Sequence, residues 1–181
     1  ESRLIADGAT LKKVASEYKF TEGPASDAAG NVYFTDQPND RIIMWSVVDQ
    51  NVYIYMKGTG RSNGLYINNE GHILACADLN NELWEIDHTT LAHKVLVSDF
   101  EGKKLNGPND LWMDSKGCIY FTDPFYKRAY WTRTEKEIEE ENVYYLSPDR
   151  THLQKVADGF VRPNGIVGSK NGKKLYVADI G

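Results

Sequence analysis

Cysteine is nearly absent: Cys76 and Cys118 are the two in 181 residues, and they fall at different points of the repeat described below. A disulfide framework is therefore not indicated, and two free, partly buried thiols are expected. No apolar run approaches the roughly 18–20 residues that a membrane-spanning helix requires, and no signal-peptide pattern opens the chain. There is no Asn-x-Ser/Thr sequon, which leaves the compartment open between cytoplasm and periplasm or exterior. Positive charge is not in excess either. Lys and Arg number 21 against 26 Asp and Glu, a net charge of −5, and the basic residues are scattered. Nucleic acid and anionic membrane surfaces are poor partners for such a chain, so small molecules and cations are the expected ones. The four histidines, His72, His88, His93 and His152, show no metal-ligand spacing and read as surface or turn residues.

What is present is ordinary in amount, 41% apolar and 26% charged, as in one globular domain with a substantial core. The order is less ordinary. A polar residue beside a Gly or Pro recurs four times, at Glu22, Asn63, Asn109 and Asn164, spaced 41, 46 and 55 residues apart. Eight residues after each comes a glycine, Gly30, Gly71, Gly117 or Gly172. Behind it a short apolar run ends in Asp36, Asp78, Asp123 or Asp179, 14 or 15 residues past the opener. Four coincidences at one offset indicate a true repeat, with a period suited to one four-stranded propeller blade. Gly30-Asn31 between two β-prone runs signals a hairpin, and Arg41–Val47 and Asn51–Met56 supply two further strands. Arg3–Ala15 suits a strand or a lead-in segment. An aromatic in each third strand, Trp45, Trp84 and Tyr145, is expected to pack between blades. The chain is thus read as all-β, a β-propeller of four-stranded antiparallel blades in a single domain over residues 1–181, with the fourth copy stopping after its second strand.

The longest spacing comes from an insertion, Pro124–Asn142, aromatic and basic at first and acidic later. Long insertions in compact domains are commonly functional loops. Phe125, Tyr126, Tyr130 and Trp131 are expected to form a lid or pocket wall, and Glu135–Glu141 a solvated helical turn. Gly58-Thr-Gly-Arg-Ser-Asn-Gly64 looks faintly like a phosphate loop, but a strand-like Leu-Tyr-Ile follows and the Lys-Ser/Thr ending is missing.

In a propeller the innermost strand of each blade lines the central channel, so residues that open it converge on one axis. One carboxylate, Glu22, and the amides of Asn63, Asn109 and Asn164 would then make a hard-oxygen site, suited to Ca²⁺ more than to zinc or copper. Asn and Gly also form turns, so spacing alone leaves them equally able to shape the loops between blades. The recurrent aspartates are expected to bind backbone amides of the following turn rather than to catalyse.

Thr21-Glu-Gly-Pro24 with Tyr33-Phe-Thr-Asp36, Leu105-Asn-Gly-Pro-Asn-Asp110, and Arg162-Pro-Asn-Gly-Ile166 with Leu175-Tyr-Val-Ala-Asp179 together resemble the SMP-30/gluconolactonase family of six-bladed propellers. The resemblance implies a divalent metal in the channel, Ca²⁺ first with Zn²⁺, Mg²⁺ or Mn²⁺ as alternatives, and hydrolysis of small sugar lactones or related esters. It implies that Glu22 and Asn164 are metal ligands and that Asn109 contacts substrate, a metal-bound water or the metal itself. Asn63 would line the same pocket beside the substrate. The family completes its site with an aspartate of the next blade, both ligand and base, and that residue would lie beyond Gly181. About three and a half blades of six are therefore expected here, as an incomplete piece of a longer chain, or as a ring completed by self-association. A calcium-dependent phosphotriesterase or esterase, and a non-catalytic calcium-binding propeller, share every one of these features.

Overall fold

A computed structural model describes residues 5–181. The chain builds antiparallel sheets in strict sequence order. The first sheet holds β1 (Thr21–Ser26), β2 (Val32–Asp36), β3 (Arg41–Trp45) and β4 (Val52–Lys57), with a 3-10 turn at Gln37–Asn39. The second holds β5 (Ser62–Ile67), β6 (Ile73–Ala77), β7 (Glu82–Ile86) and β8 (His93–Val97). A ribbon of β9 (Asp99–Phe100) and β10 (Lys103–Lys104) leads to the third, β11 (Leu111–Met113), β12 (Ile119–Asp123), β13 (Glu141–Leu146) and β14 (Leu153–Phe160). The last sheet has two strands, β15 (Pro163–Gly168) and β16 (Leu175–Asp179). The first strands β1, β5, β11 and β15 neighbour one another in that order, which is the layout of successive propeller blades. Residues 5–15 carry no strand; the rest of the lead-in expected at Arg3–Ala15 lies outside the described residues. Ser62–Ile67 is strand, so the glycine-rich segment before it is no phosphate loop.

Period-two alternation explains how one sheet serves two cores. All five residues of β6 are buried. Ile73, Ala75 and Ala77 pack with Tyr33, Ile42, Met56 and Leu65 against the first sheet. Leu74 and Cys76 face the other way, into a cluster with Leu111, Met113, Ile119 and Phe121 of the third sheet. Both cysteines are free and buried, and burial pushes the Cys76 thiol well above its ordinary range. Trp84 lies between blades as expected, stacked on His93 at 3.7 Å. Trp45 does not correspond to it. Counted from the equivalent register pairs Thr35↔Ile42 and Ala77↔Glu82, the match for Trp84 is Met44, and a one-residue offset turns Trp45 to the opposite face. Tyr145 meets Tyr120 and Cys118 of its own sheet.

Each first hairpin turns on a residue that the repeat pattern left unnoticed. Asp27, Asn68, Asp114 and Ser169 all stand five residues past the openers, and each carbonyl accepts the amide of the repeat glycine at 2.8–3.1 Å. Those glycines all adopt positive φ, from +66° to +93°.

The aspartates ending the second strands do bind backbone amides, but mainly those of the segment leading into the blade rather than of the following turn. Asp123 accepts the amides of Asn106 (2.9 Å) and Gly107 (2.7 Å). Asp36 accepts those of Lys19 (3.0 Å) and Phe20 (3.3 Å), and Asp179 those of Val161 (3.1 Å) and Arg162 (2.7 Å). The following turn contributes a side chain at Asp36, where Asn39 Nδ2 donates at 2.7 Å. This clasp ties the chain across the first hairpin of the first, third and fourth sheets, while the Asp78 carboxylate takes side-chain donors instead. Because Asp123 is fully buried and its amides have no water to turn to, Asp123→Ala is expected to destabilise by about 3 kcal/mol, two unsatisfied groups' worth. Asp179→Ala, at an exposed clasp, is expected to cost about 1 kcal/mol. Urea midpoints of the two variants check the order.

Candidate functional site

The openers are re-aimed by a shared distortion. Between Glu22 and Ala25, three steps of β1 oppose two of β2; Ser62 to Leu65 does the same against β6, and Pro163 to Ile166 against β16. These are β-bulges, which bend a strand and turn its side chains out of the alternating pattern. In the third sheet the same position precedes the regular strand, where the Asn109 amide donates to Thr122 O at 2.9 Å and the Thr122 amide to Asp110 O at 3.0 Å.

Neighbouring bulges are then bonded to each other. Thr35 Oγ1 lies 3.0 Å from the Asn63 carbonyl, the Gly64 amide donates to the Asn109 carbonyl at 2.7 Å, and Thr122 Oγ1 donates to the Asn164 carbonyl at 2.7 Å. Glycine is required for this approach. A Cβ on Gly23, itself at φ +53°, would lie 2.3 Å from Asn63 O, and one on Gly64 would lie 2.6 Å from Asp110 Oδ1. The result is one cavity of about 290 Å³ lined by Glu22, Gly23, Pro24, Asn63, Gly64, Asn109, Asp110, Asn164 and Gly165. All four openers thus meet in one place. Asn63 and Asn109 are buried there, and Glu22 and Asn164 are partly exposed.

Asp110 belongs to this wall and was not among the expected site residues. The signal was present: Asn109 is followed by Asp, whereas Glu22, Asn63 and Asn164 are each followed by Gly. Its Oδ2 accepts the Ile166 amide at 3.0 Å, binding the third blade to the fourth. Burial pushes the Asp110 carboxyl above the ordinary range, against the Ile166 and Leu111 amides that pull it down. Burial likewise raises Glu22; the Gly23 amide opposes this, Asp110 adds to it, and the more distant Arg128 relieves it. No Lys or Arg lines the cavity. Two carboxylates and three amides without a lining cation make a donor set of hard oxygens, which fits a divalent ion of the calcium kind and not a nitrogen- or sulfur-seeking one.

The insertion divides. Tyr126 reaches the site, where its hydroxyl accepts from Asn164 Nδ2 at 2.9 Å. Tyr130 and Trp131 reach Asp78 instead, and Phe125 packs on Trp131 with ring centres 5.6 Å apart. Glu135–Glu141 forms no helical turn: Ile138 is buried in the core and Glu141 begins β13. Burying that one apolar side chain draws the acidic segment down onto the third sheet.

The histidines lie at the surface or in turns as expected, and one of them, His72, also joins a possible ligand group. Ligand atoms of Glu70, His72 and Glu85 lie within 4.8 Å of one another, with His88 tilted 5.6 Å from His72. Glu70 and His72 come from the β5–β6 turn and Glu85 from β7, so the full group does not show as a spacing within the sequence. It lies beyond the end of β5 opposite to Asn63 and is separate from the channel.

Fold and site together define a β-propeller with an oxygen-lined channel at the openings of its inner strands. The SMP-30/Gluconolactonase/LRE-like profile matches residues 20–180, and the chain belongs to that family. It is 31% identical to a gluconolactonase of Zymomonas mobilis over 184 residues, covering 93% of this chain and 51% of that protein. Among solved structures, a putative gluconolactonase superposes with a TM-score of 0.87 at 31% identity, over 96% of this chain and 60% of the other. A gluconolactonase of Xanthomonas campestris superposes at 0.85 with 28% identity, over 92% and 56%. The chain therefore spans about half the length of the curated relative it matches. No helix among the described residues is long and apolar enough to cross a membrane.

The raised carboxyls make a pH test. A carboxyl whose pKa is higher folded than unfolded destabilises the ionised fold; the penalty is absent below the unfolded value near 4 and complete above the folded one. Ion-free Asp110→Asn is therefore expected to gain melting temperature relative to wild type as pH rises from about 4 to about 8. Thermal unfolding in chelator across that window checks the sign.

Proposed function

We propose that this chain carries the cation site of a hydrolase of small lactones, resembling the gluconolactonases, with a divalent ion in the channel and Ca²⁺ as first choice. One observation carries the reading: Glu22, Asn63, Asn109 and Asn164, one from each of four successive blades, line a single cavity with a second carboxylate and no lining Lys or Arg. Glu22, Asn164 and Asn109 would hold the ion, with Asp110 beside them. When bound, such an ion polarises a carbonyl oxygen and stabilises the charge that develops on it.

The remaining work falls to the chain's own side chains. Asn63 and Asn109, buried and with backbone carbonyls bonded to the neighbouring strands, present their amide groups in the cavity wall. They are suited to orient the hydroxyl and carbonyl oxygens of a small polar ring. The cavity of about 290 Å³ lies at the lower end of small-molecule sites, which favours a compact substrate. Asp110 keeps one carboxylate oxygen on the Ile166 amide, and that bond holds its other oxygen beside Gly64. With net charge −5 and no basic patch, a small neutral or weakly acidic molecule is the proposed partner, rather than nucleic acid or membrane.

Glu22→Gln in the full chain is expected to lower both Ca²⁺ affinity and lactone turnover by more than about 100-fold, exceeding the 10–100-fold typical of outer-shell partners. Calorimetric titration and a lactone hydrolysis assay read the two effects. Wild-type turnover in this variant would sink the assignment. Hydrolysis of phosphotriesters in place of lactones would move the substrate class, and tight Ca²⁺ binding without any turnover would make the site structural.

A further inference from the structure

We infer that Tyr126 is a positioning residue for Asn164, and that Asp78 is the anchor that keeps it in place. The inference deepens the cation reading and rests on it for the role of Asn164. A carboxamide can offer a cation only its oxygen, so its nitrogen needs an acceptor on the other side. For Asn164 that acceptor is the Tyr126 hydroxyl, 2.9 Å from Nδ2. With Nδ2 taken by the insertion, Oδ1 is the atom left for a cation. Partners of this kind orient metal ligands and strengthen their hold.

Tyr126 sits in a stretch without helix or strand, and such a stretch needs ties to hold a side chain still. The ties converge on one residue. Arg128 Nε donates to Asp78 Oδ2 at 3.0 Å, the Tyr130 hydroxyl donates to the same oxygen, and Trp131 Nε1 donates to the Asp78 carbonyl at 2.7 Å. Gln37 Nε2 adds a fourth bond from the first blade at 3.3 Å. Arg128 in turn lies over the Tyr126 ring, 5.0 Å from its centre.

Asp78 is available because its blade is clasped differently. In the other three blades the equivalent aspartate holds its own lead-in amides. In the second blade Asp40 takes that duty, accepting the amides of Thr59 at 2.9 Å and Arg61 at 2.6 Å. Asp78, 2% exposed, is left to gather the insertion. The link therefore runs from the second blade through the third blade's insertion to a proposed ligand on the fourth.

The test uses the full chain and Ca²⁺ alone as probe. Tyr126→Phe is expected to weaken Ca²⁺ about 10-fold by calorimetry, to leave the melting temperature in chelator unchanged, and to recover lactone turnover at saturating Ca²⁺. Asp78→Asn should weaken Ca²⁺ similarly, and the double variant should be no weaker than Asp78→Asn alone, because both act through one path. Lys127→Ala, an exposed neighbour, should leave the affinity unchanged. Wild-type Ca²⁺ affinity in Tyr126→Phe overturns the inference even if Asp78→Asn does not fold. The anchor is read separately in chelator: trypsin should cut residues 124–140 several-fold faster in Asp78→Asn than in wild type, and equal rates overturn the anchor. A wild-type chain that binds no divalent cation overturns the functional reading and the role of Tyr126 with it, while the proteolysis result still decides the anchor.

Discussion

The structure depends on how closely the backbones of neighbouring inner strands approach each other. At the opening of the second, third and fourth blades the opener's carbonyl is taken by the preceding blade, through Thr35, the Gly64 amide or Thr122. This contact leaves no room for a side chain at Gly23 or Gly64. Two consequences follow from one constraint. The first two inner strands converge this closely because glycine follows their openers, and the accompanying bulge turns the opener's side chain into the shared space. Packing of the sheets and placement of the polar groups are therefore the same event. The one blade with Asp in place of that glycine, at Asp110, uses the room left by Gly64 on its neighbour.

Electrostatics give the convergence its chemical meaning. Burying Glu22 and Asp110 together without a lining cation raises both carboxyls, an arrangement that costs stability unless something positive relieves it. The clasping aspartates show how the same residue type behaves when it is satisfied. At Asp36 burial pushes the carboxyl up, but Asn39, Arg41 and two amides outweigh it and hold it below the ordinary range. At Asp123 full burial wins against its two amides, and the carboxyl is pushed up to about 7. Asp78 is raised by burial despite the Arg128 guanidinium and the Tyr130 hydroxyl. Position in the repeat is common to all of these; the charge state is set by what each blade puts beside them.

Asp78 and Asp40 also show how a repeat acquires an individual function without losing its frame. The amides leading into a blade can be held by an aspartate of that blade or by one of the blade before it, so one aspartate can replace another as the clasp. The displaced residue is already buried at the channel end of its sheet, where an insertion from the next blade can reach it. Attachment of Arg128, Tyr130 and Trp131 at that point gives an otherwise irregular segment a fixed place beside the cavity.

Much of this was written in the order of residues. The opener, the glycine eight positions on and the closing aspartate recur at fixed offsets, and backbone rules make that recurrence a hairpin in every copy, so blades, strand order and convergence of Glu22, Asn63, Asn109 and Asn164 were legible before any coordinate. The insertion was legible as an insertion. Its internal arrangement was not, because Ile138 among glutamates and Tyr130 beside arginines choose their places by burial and by partners from other blades. The face of Trp45, the grouping of Glu70, His72 and Glu85, and the direction of the aspartate clasp share that reason. Each turns on register or on contact across many residues, which local pattern does not carry. Sequence alone determined that a polar ring would gather at one axis. Tertiary structure decided that Asp110 joins it, that Asp78 leaves its own blade, and that Tyr126 stands behind Asn164, since those outcomes depend on which buried polar group finds which partner.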